Sequence, residues 1–228
     1  MRDGAIVMAE FRSARRQAAV RTPRADVARI PVSKAEQSRR TRAQLIATGI
    51  TVLARNGYAQ TSLQLIAQVA GVSRGPLHYH FADKYDLFAA IAEALPLEVS
   101  SEVSARIDAA KSREARLMTV IDIGLEQQQG DHHLAAIELL VAARSDERLA
   151  DAIHPHFNRS EAALDRWWCS YLEDLPLDRE QVLALRHTLL AALRGLTLDQ
   201  ALTANPSMRR AALDLLRTQF LFIAGLRP

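Results

Sequence analysis

Cysteine is almost absent from this chain of 228 residues: Cys169 stands alone, so no disulfide can close within it and no thiolate metal cluster is possible. Aromatic residues make up only 5% of the composition, and no uninterrupted run of about 18 apolar residues occurs, which leaves no candidate membrane span. The opening MRDGAIVMAEF carries too short an apolar stretch for a secretory leader. Met8 is a second possible start. A glycine-rich phosphate loop, a nucleophile elbow and a Cys-His pairing are all missing. His132 and His133 are adjacent, so they point to different sides of a helix, unlike the i, i+4 pair that grips zinc. Glu126 and Glu138 do not repair that spacing. These absences lead us to expect no enzyme, no cofactor, no metal and no membrane contact, in a reducing cytoplasm.

What is present is helix. Hydrophobic residues reach 49%, enough for a sizeable core, and no segment alternates as a strand would, so the expected class is all-α. The formal charge of +3 is unevenly placed. Residues 1–48 hold 11 Lys/Arg against 4 Asp/Glu, residues 49–94 balance at 3 each, and residues 95–228 hold 15 against 19. A basic end gains from a phosphate backbone through counterion release, whereas an acidic remainder is repelled from the same duplex. Residues 1–32, with scattered arginines, Pro23 and Pro31 but no sustained apolar stripe, read as a basic, disordered arm.

The segment TSLQLIAQVAGVSRGPLHYHFADK, Thr61 to Lys84, reads as two short helices joined by a turn and followed by a third helix start. Ser62 is placed to cap the first, whose apolar face is Leu65, Ile66 and Val69. Gly71 stands where the chain must leave that helix through a left-handed conformation, and Ser73 can cap the next. Pro76 is tolerable only in an opening turn. The second helix is too short to bury much, and Arg74, His78, Tyr79 and His80 outnumber its apolar residues.

From Ala67 through Ala70, Gly71, Val72, Ser73, Gly75, Leu77, His80, Phe81 and Lys84 to Leu87, the spacing AxxAGVSxGxLxxHFxxKxxL resembles the TetR family of bacterial transcriptional regulators. The preceding RRTRAQLIATGITVLARNGYAQTS, Arg39 to Ser62, looks like that family's first helix and its Gly-Tyr turn. The resemblance covers about 50 contiguous residues, far more than a lone turn motif. It implies an N-terminal three-helix DNA-binding domain over residues 33–82 and a larger helical effector-binding and dimerisation domain over 83–228, with 83–95 as connecting helix. It places DNA contacts on Arg74, Gly75, Leu77, His78, Tyr79, His80 and Lys84. The family's usual tyrosine directly after the leucine is His78 here, and an aromatic follows one place later as Tyr79. Thr61 and Ser62 would offer hydroxyls and a helix N-terminus to phosphate, with Gln64 alongside. Arg39, Arg40 and Arg42 could follow the neighbouring groove.

The first helix carries Leu45, Ile46, Ile50, Val52 and Leu53 on one side and ends near Asn56-Gly57; Asp83 can cap a helix with Tyr85, Leu87, Phe88 and Ile91 inward. Further helices are expected over residues 98–110, 113–129, 132–143, 146–153, 157–175, 178–202 and 207–226, with a break at Pro155. The last two are apolar on more than one side. Val182, Leu185, Leu189 and Leu196 form one stripe, Leu183, Leu190 and Leu198 another; Leu213, Leu216, Phe220 and Ile223 form a third, with Leu215, Phe222 and Leu226 a fourth. We assign the first and third to a two-fold dimer interface, which would let two readers span a palindrome.

The resemblance also implies a small-molecule effector. Candidates to line its site are Met118 and Ile121, Trp167, Trp168 and Tyr171, and the polar His133, Glu138 and His187, with Arg144 and Arg194 nearby. The expected protein is a repressor that binds a palindromic operator as a homodimer and is released by that effector. An activator or corepressor-dependent regulator, or a helical interaction module without DNA binding, is the alternative.

Overall fold

The computed structural model describes residues 33–95, 101–127, 130–202 and 205–226. The basic arm of residues 1–32 lies outside them, as do the expected starts and ends of helices at 98–100 and 128–129. Contacts divide the chain into Met1–Gln37 and Ser38–Pro228. Of the first unit only residues 33–37 are described, opening a helix in which the Gln37 N–H donates to the Ser33 carbonyl at 2.9 Å. All that follows concerns the second.

The described residues contain no strand and ten helices: α1 (Lys34–Gln60), α2 (Leu63–Ala70), α3 (Arg74–His80), α4 (Lys84–Ala94), α5 (Ser101–Asp108), α6 (Arg113–Gln127), α7 (Asp131–Ala142), α8 (Glu147–Tyr171), α9 (Arg179–Leu202) and α10 (Pro206–Ile223). Caps explain most ends. The Ser62 hydroxyl accepts from the Leu65 N–H at 3.2 Å, and Gly71 adopts φ 67°, ψ 24°. There the Val72 N–H reaches back to the Ala67 carbonyl at 2.9 Å, which closes α2. Asp83 Oδ1 accepts from the N–H groups of Tyr85 and Asp86 at 2.9 and 3.0 Å, while Asp86 accepts from Ala82 N–H at 3.1 Å. Asn205 caps α10 through Met208 N–H at 3.1 Å, with Pro206 in the first turn.

Two expectations need correction. Pro155 does not end a helix: α8 runs unbroken through it. The missing N–H costs on the order of 3 kcal/mol in an isolated helix, but α8 packs against α4, α7 and α9, and Pro155 itself faces solvent. The apolar face of α2 is also rotated, with Ile66, Ala67 and Ala70 buried and Val69 58% exposed.

Two cores result. Leu45, Leu53, Ile66, Leu77, Phe81, Phe88 and Ile91 share the first with Ala135, Leu139, Leu149 and Ile153, so apolar packing runs without a seam from α1–α4 into α7 and α8. Gly49 allows the close crossing of α1 and α4: a Cβ there would stand 2.6 Å from Ile91 Cδ1. The second core joins α5, α6, α8, α9 and α10 through Ile107, Leu117, Ile121, Trp168, Leu189 and Phe220.

Candidate nucleic-acid interface and effector cavity

Helix α3 is a polar blade on an apolar root. Leu77 and Phe81 are each 1% exposed, whereas Arg74, Gly75 and His78 face solvent and Tyr79 is 78% exposed. A Cβ on Gly75 would meet nothing within 4 Å. Gln44 of α1 donates to the Ala70 carbonyl at 2.8 Å, so the end of α2, and with it the turn, is tied to the first helix. His80 stacks edge-on to Tyr79 at 5.1 Å. Arg42, exposed on α1, lies 5.4 Å over the Phe81 ring. Arg39, Ser62 and Gln64 are exposed as well. Arg39, Arg42, Ser62, Gln64, Arg74, Gly75, His78, Tyr79 and His80 therefore occupy accessible or partly accessible positions.

Three candidate DNA contacts are placed elsewhere. Leu77 is buried because it forms the root of α3. Thr61 is 6% exposed and spends its hydroxyl on the Gly57 carbonyl at 2.7 Å. Lys84 turns inward: its Nζ donates to the Tyr58 hydroxyl at 3.1 Å, lies 3.9 Å from Asp146 and sits over the Tyr58 and Tyr85 rings at 5.0 and 4.8 Å.

That lysine belongs to a polar clasp that sequence reasoning did not find. Gly57 has φ 74°, a left-handed break that ends the body of α1 and presents the Tyr58 N–H to Glu138 Oε2 of α7 at 3.0 Å. Asp146, at the α7–α8 turn, accepts from the hydroxyls of Tyr58 and Tyr85 at 2.7 and 3.3 Å and caps α8 through Leu149 N–H. Hydrogen bonds from Tyr58 and Leu149 hold the Asp146 carboxyl below its ordinary range. Burial, then the bond to Asp146, pushes the Tyr58 phenol up, and the bond to Tyr58 raises Lys84. Arg148 pairs with Asp83 at 3.1 Å across the same junction. Glu138, a candidate effector contact, is thus committed to the clasp.

In the larger body, His133 is 8% exposed and lines a cavity of about 80 Å³ together with Arg194, Glu161 and several apolar side chains. Its Nε2 is buried with no hydrogen-bond partner among the described residues. Burial first, and the charge of Arg194 second, lower its pKa to about 4. The folded imidazole thus resists a proton that the unfolded one takes up near pH 6.5, so its contribution is whole above that pH and lost as the pH falls toward 4. Up to about 2 kcal/mol is at stake after solvent screening. Thermal melts between pH 4 and 6.5 should accordingly be flatter for His133→Gln than for the parent; parallel curves would show His133 to be neutral to stability.

Trp167 and Trp168 border a smaller cavity of about 30 Å³, and Met118, Ile121 and Tyr171 pack into the second core, with Tyr171 4.8 Å from the Trp167 ring. Among the described residues these three line neither cavity. His187 is exposed, against the expectation that it sits inward on α9. The inward polar residue is its neighbour Arg186, 0% exposed, whose Nη2 lies 2.6 Å from both Glu161 and Asp165 of α8. The pattern held the signal: Val182, Arg186, Leu189 and Leu193 share one helical stripe, facing an i, i+4 acid pair.

The proposed interface stripe also needs correction. Val182, Leu185, Leu189 and Phe220 are 0–4% exposed within a single chain, because α9 and α10 turn those sides to α6 and α8. Leu196, Leu213 and Leu216 are half-buried, and of that set only Ile223 faces outward. Besides Ile223, the exposed large apolar side chains of α9 and α10 are Leu198 at 48%, Met208 at 63%, Leu215 at 59% and Phe222 at 79%. Met208, Leu215 and Phe222 recur every seven residues, so they form one ridge on α10.

No helix among the described residues is long and apolar enough to cross a membrane. No group of three potential metal ligands occurs among them.

Residues 45–91 match the family model of bacterial regulatory proteins of the tetR family. The HTH-type transcriptional regulator BetI of Cronobacter sakazakii is 30% identical over 82% of this chain and 93% of its own length. The HTH-type transcriptional regulator CymR of Pseudomonas putida is 27% identical over 72% of this chain and 81% of its own. A transcriptional regulator from Rhodococcus shares the fold, with a TM-score of 0.61 at 21% identity over 82% of this chain and 99% of that one. The relatives belong to a non-enzymatic class. The match to BetI over nearly its whole length, together with the family match that spans the α2–turn–α3 unit, establishes that this chain belongs to the TetR family and is a helix-turn-helix, DNA-binding transcriptional regulator.

Proposed function

We propose that the chain is a cytoplasmic repressor that binds a palindromic operator as a homodimer and lets go when a small molecule occupies its body. The observation that carries the reading is the two-sided build of α3, with Leu77 and Phe81 fixed in the core and Arg74, His78 and Tyr79 outside. A helix so rooted presents its polar edge to a major groove, where a guanidinium can read guanine and a phenol or imidazole can hold phosphate. Arg39, Arg42, Ser62, Gln64 and His80 flank that edge. The ridge Met208, Leu215 and Phe222 offers the two-fold contact that sets two such helices about one helical turn of DNA apart or more. The division of labour then follows the reader at 33–82, the connecting helix from residue 83 and the body beyond it.

The test begins with the palindrome that the purified chain selects from a random-sequence library. Against that duplex Arg74→Ala is expected to lose about 1–3 kcal/mol of binding and to relax preference at one base position per half-site. An unchanged selected sequence would remove Arg74 from base reading, and salt-independent, sequence-blind binding by the parent would remove the operator altogether. Effector release predicts that one class of metabolite lowers affinity for this same duplex.

A further inference from the structure

The effector reading leaves the ligand's chemistry open, and the cavity narrows it. We infer that the cavity lined by α7, α8 and α9 accepts a small monocarboxylate with a short apolar tail, its carboxylate held between the Arg194 guanidinium and Nε2 of His133. This rests on the proposal that the body binds an effector, and it adds the class.

The argument is one of unspent donors. His133 lines the cavity beside the apolar Ala136, Ile137, Leu140, Phe157 and Leu164, and its Nε2 is buried without a partner among the described residues. A buried polar atom left unpaired destabilises the fold, a cost that a bound partner would remove. Arg194, at the same cavity, is only loosely held. Its nearest carboxylate oxygen, Glu161 Oε1, is 3.8 Å away, outside hydrogen-bond reach. The other oxygen of Glu161 is engaged by Arg186 at 2.6 Å, so the glutamate is largely answered from its far side. Ser160, also on the wall, gives its hydroxyl to the His156 carbonyl at 3.2 Å. Gln127 and His132 also line the space, but Arg194 is the one arginine or lysine among the lining residues, and His133 adds a buried ring nitrogen with no partner among the described residues. The charge of Arg194 already disfavours a proton on His133, and the same field stabilises an anion beside it. A cationic ligand would meet that field unfavourably, with Phe157 as the one phenyl ring among the lining residues to cradle it. Size sets the tail: about 80 Å³ is roughly half the space of the ~150 Å³ cavity that holds benzene, so a chain of a few carbons fits.

Calorimetric titration of the full chain with butyrate and valerate, at ionic strength fixed with sodium chloride, should show saturable binding and a raised Tm. Butyramide and butylamine, of the same shape, should bind at least tenfold more weakly. Arg194→Gln, a half-exposed position whose loss leaves the Glu161–Arg186 pair intact, should weaken butyrate at least tenfold with unchanged circular dichroism; His133→Gln should weaken it severalfold. Equal affinity for butyramide and butyrate, tighter binding of butylamine, or full butyrate affinity in Arg194→Gln would each overturn the assignment. The selected operator duplex separates the two claims. Carboxylate binding without operator binding would sink the repressor reading and spare the cavity, whereas operator binding without carboxylate binding would do the reverse.

Discussion

Replacing Leu215 and Phe222 together by glutamate is expected to yield a folded monomer whose operator affinity falls by about 10²–10⁴. The fold should survive because the two side chains are 59% and 79% exposed and contribute little to either core. What they do contribute is an apolar ridge left uncovered by the described residues. Two glutamates on each of two facing ridges would place like charges in a desolvated seam, which no rotamer relieves. The binding loss then follows from effective concentration: a tethered second reader engages its half-site as an intramolecular event worth about two to four orders of magnitude, and a lone reader forfeits it. Sedimentation at micromolar concentration measures the first claim and an operator titration the second. A variant that still sediments as a dimer would move the two-fold contact to another face.

Phe81→Ala should produce the largest loss of stability among changes near the reader, about 3–5 kcal/mol. Phe81 is 1% exposed, closes α3 through its own N–H to the Leu77 carbonyl at 3.0 Å, and supports the Arg42 guanidinium on its ring. Its removal opens a cavity under the helix that carries Arg74 and Tyr79. Operator binding should fall even at temperatures where the variant remains folded, since the polar edge loses its foundation; Phe81→Leu, which refills part of the space, should recover much of both. Denaturant titration and duplex binding on the same three proteins check the pairing of the two losses. If Phe81→Ala lowered stability while leaving affinity intact, α3 would be held by Leu77 alone.

The turn was legible in the amino-acid string because its determinants are local. Ser62, Gly71 and Asp83 each act on backbone groups within a few residues, and that chemistry is carried by residue type. Longer-range choices were not. Periodicity says which side chains share a face, never what lies opposite, so it does not reveal that Val182, Leu185, Leu189 and Phe220 of the stripe assigned to the two-fold contact turn inward. Pro155 breaks an isolated helix but not one flanked by α4 and α9. Lys84 shows the same limit at a single residue: its long, flexible side chain takes the direction set by Tyr58, Tyr85 and Asp146, which come from distant parts of the chain. Arg186 lay in plain view within an apolar stripe, yet its acid partners are 21 and 25 positions earlier, at Asp165 and Glu161.

Helix α7 touches both ends of the molecule's business. His133 sits at the cavity, and five residues on, about 7.5 Å along the same axis, Glu138 grips the amide of Tyr58 at 3.0 Å. A short helix is stiff over that distance, so it behaves as a pushrod. A ligand that slid or tilted α7 at His133 would therefore pull on the tail of α1, with no slack loop between the two residues of the strut.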